Sequence, residues 1–345
     1  MNKFKIGVSA LCGSLAAITA VNAGEMSVSG GANMTYTKLG YGNTGNPLGM
    51  GSAMTFTGSG ELDNGSTVTM NIAHNDKNVY SSSDIAIATP SMGTFTYDEG
   101  GGTGIDRYDD MMPTAWEETN GTGVSAGFTT VSGVGGGTDI EWALPADMLP
   151  GGISAYISIS PKADGSKNAD KSAGGTVGSD VDGLGWDVAA STTSLVDGLN
   201  LFGGYSVIPK YKTDTAGVGV TGDTVSKVLG ATYAVGGATI GYQHSVEDLQ
   251  SAVSAGTSNY VNNAYGVSFS VNDDLSISYG MHKSEKNMNG NAVTNGEVEA
   301  QSIQAAYSMG GATIKIAETE VDNADYVTGA GAETEGTTVM LSLAF

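Results

Sequence analysis

From Met26 to Phe345 the chain is a succession of short segments in which apolar and polar residues alternate with period two. None reaches the ~18 to 20 consecutive apolar residues that a membrane helix requires. In one segment Ile153, Ala155, Ile157 and Ile159 alternate with Ser154, Tyr156, Ser158 and Ser160. Leu199, Leu201, Gly203, Tyr205 and Val207 repeat the pattern, as do Tyr265, Val267, Phe269 and Val271, then Leu275, Ile277, Tyr279 and Met281. Each segment has one apolar and one polar face, and its length suits a tilted strand of ~9 to 11 residues crossing a bilayer. The connections alternate as strictly as the residues. Seven are tight and carry Gly, Asn, Asp or Pro, at residues 63–65, 90–93, 145–151, 195–198, 236–237, 272–273 and 310–311. Eight are longer, near residues 39–49, 77–82, 100–137, 161–181, 209–224, 248–260, 285–297 and 322–336. Fifteen connections join sixteen antiparallel strands. A soluble sandwich shares the alternation within each strand but not this order of short and long connections. The expectation is an all-β, transmembrane antiparallel barrel with an even strand count.

Both ends agree with that reading. Val339 to Phe345 alternate once more and stop on an aromatic residue, giving a closing strand to pair with the segment that begins near Met26. Lys3 and Lys5 precede an apolar run from Ile6 to Ile18, and Val21, Asn22 and Ala23 form a cleavage site before Gly24. Residues 1–23 therefore read as a signal peptide that is cleaved on export, leaving 24–345 as one barrel. Cys12, the single cysteine, falls inside the leader and follows a bulky Leu11 that a lipidation site would not accommodate. The mature chain is thus expected to lack disulfides, thiolate metal sites and cysteine nucleophiles. All 36 acids follow residue 23, against 12 of the 14 Lys and Arg, a balance that excludes nucleic acid as a partner. The 53 glycines, with many Ser, Thr and Asn, would suit disorder, but 40% hydrophobic residues in strand-like alternation argue against it.

Leader, sixteen alternating strands, seven tight turns, one oversized third long connection and the terminal Phe345 together resemble the general diffusion porins of Gram-negative bacteria. That resemblance implies a homotrimer in the outer membrane, with short periplasmic turns, long extracellular loops and a third loop folded into the lumen. It also implies outer-membrane lipid as surroundings, Phe345 as a signal read by the barrel-assembly machinery, and passive diffusion of small hydrophilic solutes and ions. The Pro-Glu-Phe-Gly-Gly motif of many enterobacterial porins is absent.

Within this frame residues 100–137 form the constriction loop, with Asp106, Arg107, Asp109, Asp110, Glu117 and Glu118 as its charged residues. Tyr108, Met111, Met112, Pro113 and Trp116 are available to pack it against a wall. Strand parity places Glu61, Asp139, Glu141 and Asp187 on the lumen wall facing water, alternating with outward Leu62, Ile140, Trp142 and Trp186. Lys315, between Ile314 and Ile316, is the one mid-strand cation that parity turns inward, while Lys38, Lys227 and Lys283 fall at strand ends. Arg107 is the sole Arg. Rings of acids favour cations, so a cation-preferring pore is expected. A substrate-specific channel is the alternative within the class; an adhesin would show a short fixed repeat, which is not found. Tyr36, Trp142, Trp186 and Tyr307 suit an interfacial girdle.

No cofactor or metal is expected. The acids Asp180 and Asp182, or Asp322, Asp325, Glu333 and Glu335, offer oxygen ligands to Ca²⁺ or Mg²⁺, but no run has the spacing of a dedicated calcium loop. His74, His244 and His282 lie on different strands, so an enzymatic constellation is not expected. The glycine runs 100–104 and 133–137 lack the Lys and helix of a phosphate loop.

Overall fold

The computed structural model describes residues 24–40, 45–76, 78–100, 102–161, 183–209, 222–250, 256–290, 295–329 and 332–344. The leader and Phe345 lie outside these residues. Sixteen strands are present: β1 (Glu25–Leu39), β2 (Leu48–Glu61), β3 (Thr67–Asn75), β4 (Asn78–Thr89), β5 (Gly93–Glu99), β6 (Thr138–Ala143), β7 (Ile153–Ser160), β8 (Gly185–Thr192), β9 (Leu199–Ile208), β10 (Thr224–Val235), β11 (Ala238–Asp248), β12 (Thr257–Ser270), β13 (Leu275–Met288), β14 (Gly296–Met309), β15 (Ala312–Asp322) and β16 (Thr334–Ala344). Each pairs antiparallel with its neighbours in sequence, and β1 meets β16 from Gly31 opposite Ala344 to Leu39 opposite Gly336, closing the barrel. Closure leaves no free edge. In hydrocarbon an unpaired backbone N–H or C=O costs several kcal/mol, so an open sheet of this kind could not span a bilayer.

Parity assigns the two faces. Ile140, Ile157, Ile159, Trp186, Val188, Tyr205, Tyr265, Val267, Phe269, Ile277, Ile303 and Ile314 are exposed apolar residues on the outside of the wall. The residues between them are small or polar and turn inward, such as Ser158, Ser206, Ser278, Ser302, Gln304 and Thr319. An apolar face this extensive would aggregate in water and is at home in hydrocarbon. Tyr36, Trp186 and Tyr307 of the expected girdle are on that outer face and exposed. The indole N–H of Trp142 donates to the Met92 carbonyl at 2.7 Å.

The turns follow from local chemistry. Between β2 and β3, Gly65 takes φ +78°, a conformation that favours glycine, and its N–H donates to the Leu62 carbonyl at 2.9 Å. The Asn64 side chain accepts the Ser66 N–H at 3.0 Å, completing an Asx turn. One expectation fails here: residues 77–82 do not form a long connection, because β4 begins at Asn78 and only two residues separate it from β3. Ser81, Ser82 and Ser83 look loop-like by type, yet Ser82 and Ser83 pair with Ala73 and Ile72 along the sheet. Tertiary pairing overrides the weak strand preference of serine. The remaining long connections stay in place with shifted bounds; β12 starts at Thr257, and β13 runs on to Met288.

The assignment of faces has a direct test. Ile303→Arg on the outer wall should destabilise the barrel in lipid by ~2–4 kcal/mol near the bilayer centre. A polar change at an inward and exposed position, Ala88→Ser, should cost far less, and urea unfolding in vesicles measures both.

Candidate functional site: the loop between β5 and β6

The described residues of this loop, 102–137, enter the barrel and lie against its inner wall. The loop's two ends meet at the glycine runs, where the Gly100 N–H donates to the Gly137 carbonyl at 3.0 Å. These runs are the loop's root, a role that a comparison with phosphate-cradling motifs does not suggest. A single 3₁₀ turn at Asp106–Tyr108 follows the first run and points Tyr108 to the wall.

Three wall carboxylates hold that root. Asp139 accepts the Thr103 hydroxyl at 2.6 Å, and Glu141 accepts the Gly104 N–H at 2.8 Å and the Ser158 hydroxyl at 3.0 Å. Asp187 accepts the Ile105 N–H at 3.1 Å and the Val134 N–H at 3.1 Å, so it ties both arms of the loop to β8. Arg107 forms an ion pair with Glu141, donates through Nε to the Gly104 carbonyl at 2.9 Å, and lies 3.6 Å over the Tyr156 ring. This corrects the expectation for Asp139, Glu141 and Asp187. They turn inward as parity requires, but the loop covers them to 1%, 5% and 0% exposure, and they bind loop rather than water. The physical reason is that loop N–H groups brought against the wall lose water and need acceptors, and a carboxylate is a strong one.

Apolar contacts complete the docking. Ile105, Tyr108 and Val131 from the loop bury against Ala189, Phe202 and Val228 of β8–β10, with Met111, Met112 and Tyr156 around them. The Tyr108 and Phe202 rings are 5.1 Å apart. Burying each large apolar side chain contributes about 1.5–3 kcal/mol. Farther along, the loop packs on β11 and β12 so closely that a Cβ at Gly266 would stand 3.0 Å from Pro113 Cδ. At Gly241 a Cβ would stand 2.5 Å from the same Pro113 Cδ, so a side chain there would force the loop to shift. The Ala115 N–H then donates to Ser278 Oγ at 2.8 Å, and Gln304 accepts the Trp116 and Glu117 N–H groups at 3.0 and 3.1 Å. Val124 and Ala126 finally bury against Val298, Ala300 and Val321 of β14 and β15.

The loop's charged groups lie in two places. Asp106 is half-buried at the root, where burial, with Asp187, Asp98 and Asp110 nearby, pushes its carboxyl up to about 6. Asp109, Asp110 and Glu117 are exposed, and Glu118 is half-buried. Asp109, Asp110 and Glu118 border a recess of about 100 Å³ with Met112, Thr119, Asn120, Phe128 and His282. Asp109 is raised to about 7 by desolvation and then by Asp110 and Asp106. Glu117 is likewise raised to about 7 by desolvation and by Glu118 beside it. Lys315 is inward and half-buried, its Nζ 6.0 Å from the Trp116 ring. Glu61 ends β2 at a tight turn and is exposed. Sequence reasoning missed Lys286: because β13 runs on to Met288, this lysine also turns inward, 5.9 and 5.6 Å from the Tyr260 and Tyr326 rings. The even spacing from Ser278 and Ser284 was the available signal. Lys283 turns outward and pairs with Glu297 at 2.7 Å. His282 turns inward and stacks on Phe128 at 4.0 Å, whereas the His244 ring meets Asn263 at 3.0 Å on the outer wall.

A closed barrel of sixteen antiparallel strands with one long loop laid inside it is the fold of the sixteen-stranded porins. The chain is similar in structure to OmpF of Salmonella typhi, at TM-score 0.68 and 13% identity over 94% of this chain and 98% of that one. It is similar to the outer membrane channel DcaP of Acinetobacter baumannii (TM-score 0.66, 10% identity, 94% and 98% covered). A third is the anion-selective porin of Comamonas acidovorans (TM-score 0.63, 14% identity, 93% and 100% covered). No protein-family model matches the chain, and no curated protein matches it in sequence.

The anchoring can be tested without a transport assay. Asp187→Ala leaves the buried Ile105 and Val134 N–H groups without their acceptor, at about 1–3 kcal/mol each. Hydrogen exchange at loop amides should accelerate while exchange in β12–β15 stays as in the parent protein; unchanged loop protection would refute the anchoring role.

Proposed function

We propose that the chain forms a water-filled channel through which small hydrophilic solutes and ions diffuse passively across the outer membrane, with a preference for cations. The porin fold supports the channel, and the apolar outer face supports the membrane. The cation preference rests on one observation: the sole arginine is neutralised by Glu141, while Asp109, Asp110 and Glu117 remain exposed on the loop. Selectivity must come from such side chains and not from the fold, since a porin described as anion-selective shares that fold. The constriction is assigned to Asp106, Arg107, Asp109, Asp110, Glu117 and Glu118, with Arg107 as a clamp rather than a free charge. Lys315 and Lys286 are the inward cations among the described wall residues, and both lie near aromatic rings.

The homotrimer, the assembly-signal role of Phe345 and the exported leader follow from the resemblance to general diffusion porins. An enzymatic role lacks support, because His282 is stacked on Phe128 and His244 is on the outer wall, so neither joins a nucleophile in the lumen.

Reversal potentials of the refolded protein in planar bilayers under a KCl gradient test the proposal. A K⁺ preference, with conductance steps in threes for a trimer, is the expected result; a Cl⁻ preference refutes the charge reading, and absence of conductance refutes the channel. Acidity adds a second test. Asp106, Asp109 and Glu117 keep their protons up to about 6 to 7, so they are neutral at low pH and charged above it. Cation preference should therefore rise between pH 5 and pH 8, and a flat profile would remove these groups from the constriction.

A further inference from the structure

The inner wall is covered unevenly. Where the loop docks on β8–β15 the inward residues beneath it are hidden, with Asp187 at 0%, Phe202 at 2%, Gln304 at 3% and Thr319 at 0% exposure. On β2 and β4 the inward Ala53 and Ala88 are exposed, although alanine is small enough to be hidden easily. The loop bonds described above run to β6, β8, β13 and β14, and further ones to β11, β12 and β15. The water of the lumen is therefore bounded by the loop on one side and by β2–β4 on the other.

That open wall carries one oriented charge. Thr57 on β2, Asn71 on β3, Asp84 on β4 and Asp98 on β5 stand opposite one another in register, forming a rung along the inner face. The Thr57 hydroxyl donates to Asn71 Oδ1 at 2.8 Å, which fixes the amide so that Asn71 Nδ2 donates to both Asp84 oxygens at 3.0 Å. Asp98 is covered to 2% exposure and continues the rung to Asp139. Asp84 is where the charge of the rung emerges, half-buried whereas Asp98 is covered. Among the described residues of β1–β4, no Lys or Arg turns inward; Lys38 follows outward Tyr36 by parity. Resting on the channel reading above, we propose that Asp84 is the selectivity-determining residue of the open wall, and that Asn71 positions it. Cations then pass between two faces that both carry negative charge, and an anion meets no countercharge among the described residues of the wall opposite the loop.

The neutralisation of a fixed charge is felt most where screening is weak. The Debye length is about 10 Å at 0.1 M salt and about 3 Å at 1 M. For Asp84→Asn in the full chain, refolded and checked for intact β-sheet by circular dichroism, the K⁺/Cl⁻ permeability ratio near ~0.1 M should fall roughly threefold. Unit conductance at ~1 M should stay close to the parent value. Asn71→Ala, which frees the carboxylate without removing it, should give a smaller shift in the same direction. Should Asp84→Asn fail to insert, Asp84→Ser keeps a partner for Asn71 and carries the same measurement. Asp110→Asn on the loop serves as reference. A shift for Asp110→Asn with none at Asp84 overturns this inference alone; no shift for either overturns it together with the assignment of selectivity to Asp110 on the loop, and a parent protein that prefers Cl⁻ or does not conduct overturns the reading on which it rests.

Discussion

Everything in this structure depends on the pairing of β1 with β16. Each strand of a sheet has its backbone groups satisfied on both sides only if the sheet has no end, and in hydrocarbon there is no water to satisfy an end. Gly31 opposite Ala344 and Leu39 opposite Gly336 bound the seam that removes both edges at once. Once it is made, parity fixes every side chain to lipid or to lumen. The outer wall can then be mostly apolar, and the inner wall is free to carry hydroxyls, amides and carboxylates.

The loop obeys the same constraint by other means. Its backbone has no ladder to join, so its N–H groups find side-chain acceptors: Asp187 for Ile105 and Val134, Glu141 for Gly104, Gln304 for Trp116 and Glu117. A buried carboxylate is costly unless bonded, and an orphaned N–H shut away from water is costly too; each resolves the other. The arginine that might have made the lumen basic is consumed in the same arrangement, since Arg107 closes on Glu141 and Tyr156. Anchoring and the proposed ion preference thus share residues.

The barrel was legible because its signal is periodic. Sixteen strands follow from alternation and from the order of short and long connections, and the closing strand from Val339 to Ala344 followed as well. The exception is instructive: Ser81, Ser82 and Ser83 carry no hydrophobic alternation, so a strand built there by pairing with β3 reads as loop. At the site, parity put Asp139, Glu141 and Asp187 on the inner face but could not tell water from a covering loop. That distinction is set by contacts across 34 to 82 residues of sequence, between Arg107 and Glu141 or Ile105 and Asp187. Asp84 escaped notice for a related reason: its neighbours Asn71 and Thr57 lie on other strands, and only register brings them together.

The path of the loop also fixes when it can form. Its root bonds to β6 and β8, but Gln304 belongs to β14, Thr319 to β15, and Tyr326, whose hydroxyl accepts the Thr129 N–H at 3.1 Å, comes later still. However the strands assemble, residues 100–137 lack these partners until β14 and β15 have joined the wall. The loop must therefore wait, and its docking records that the last strands are in place: a lumen becomes narrowed only in a molecule whose wall is already complete.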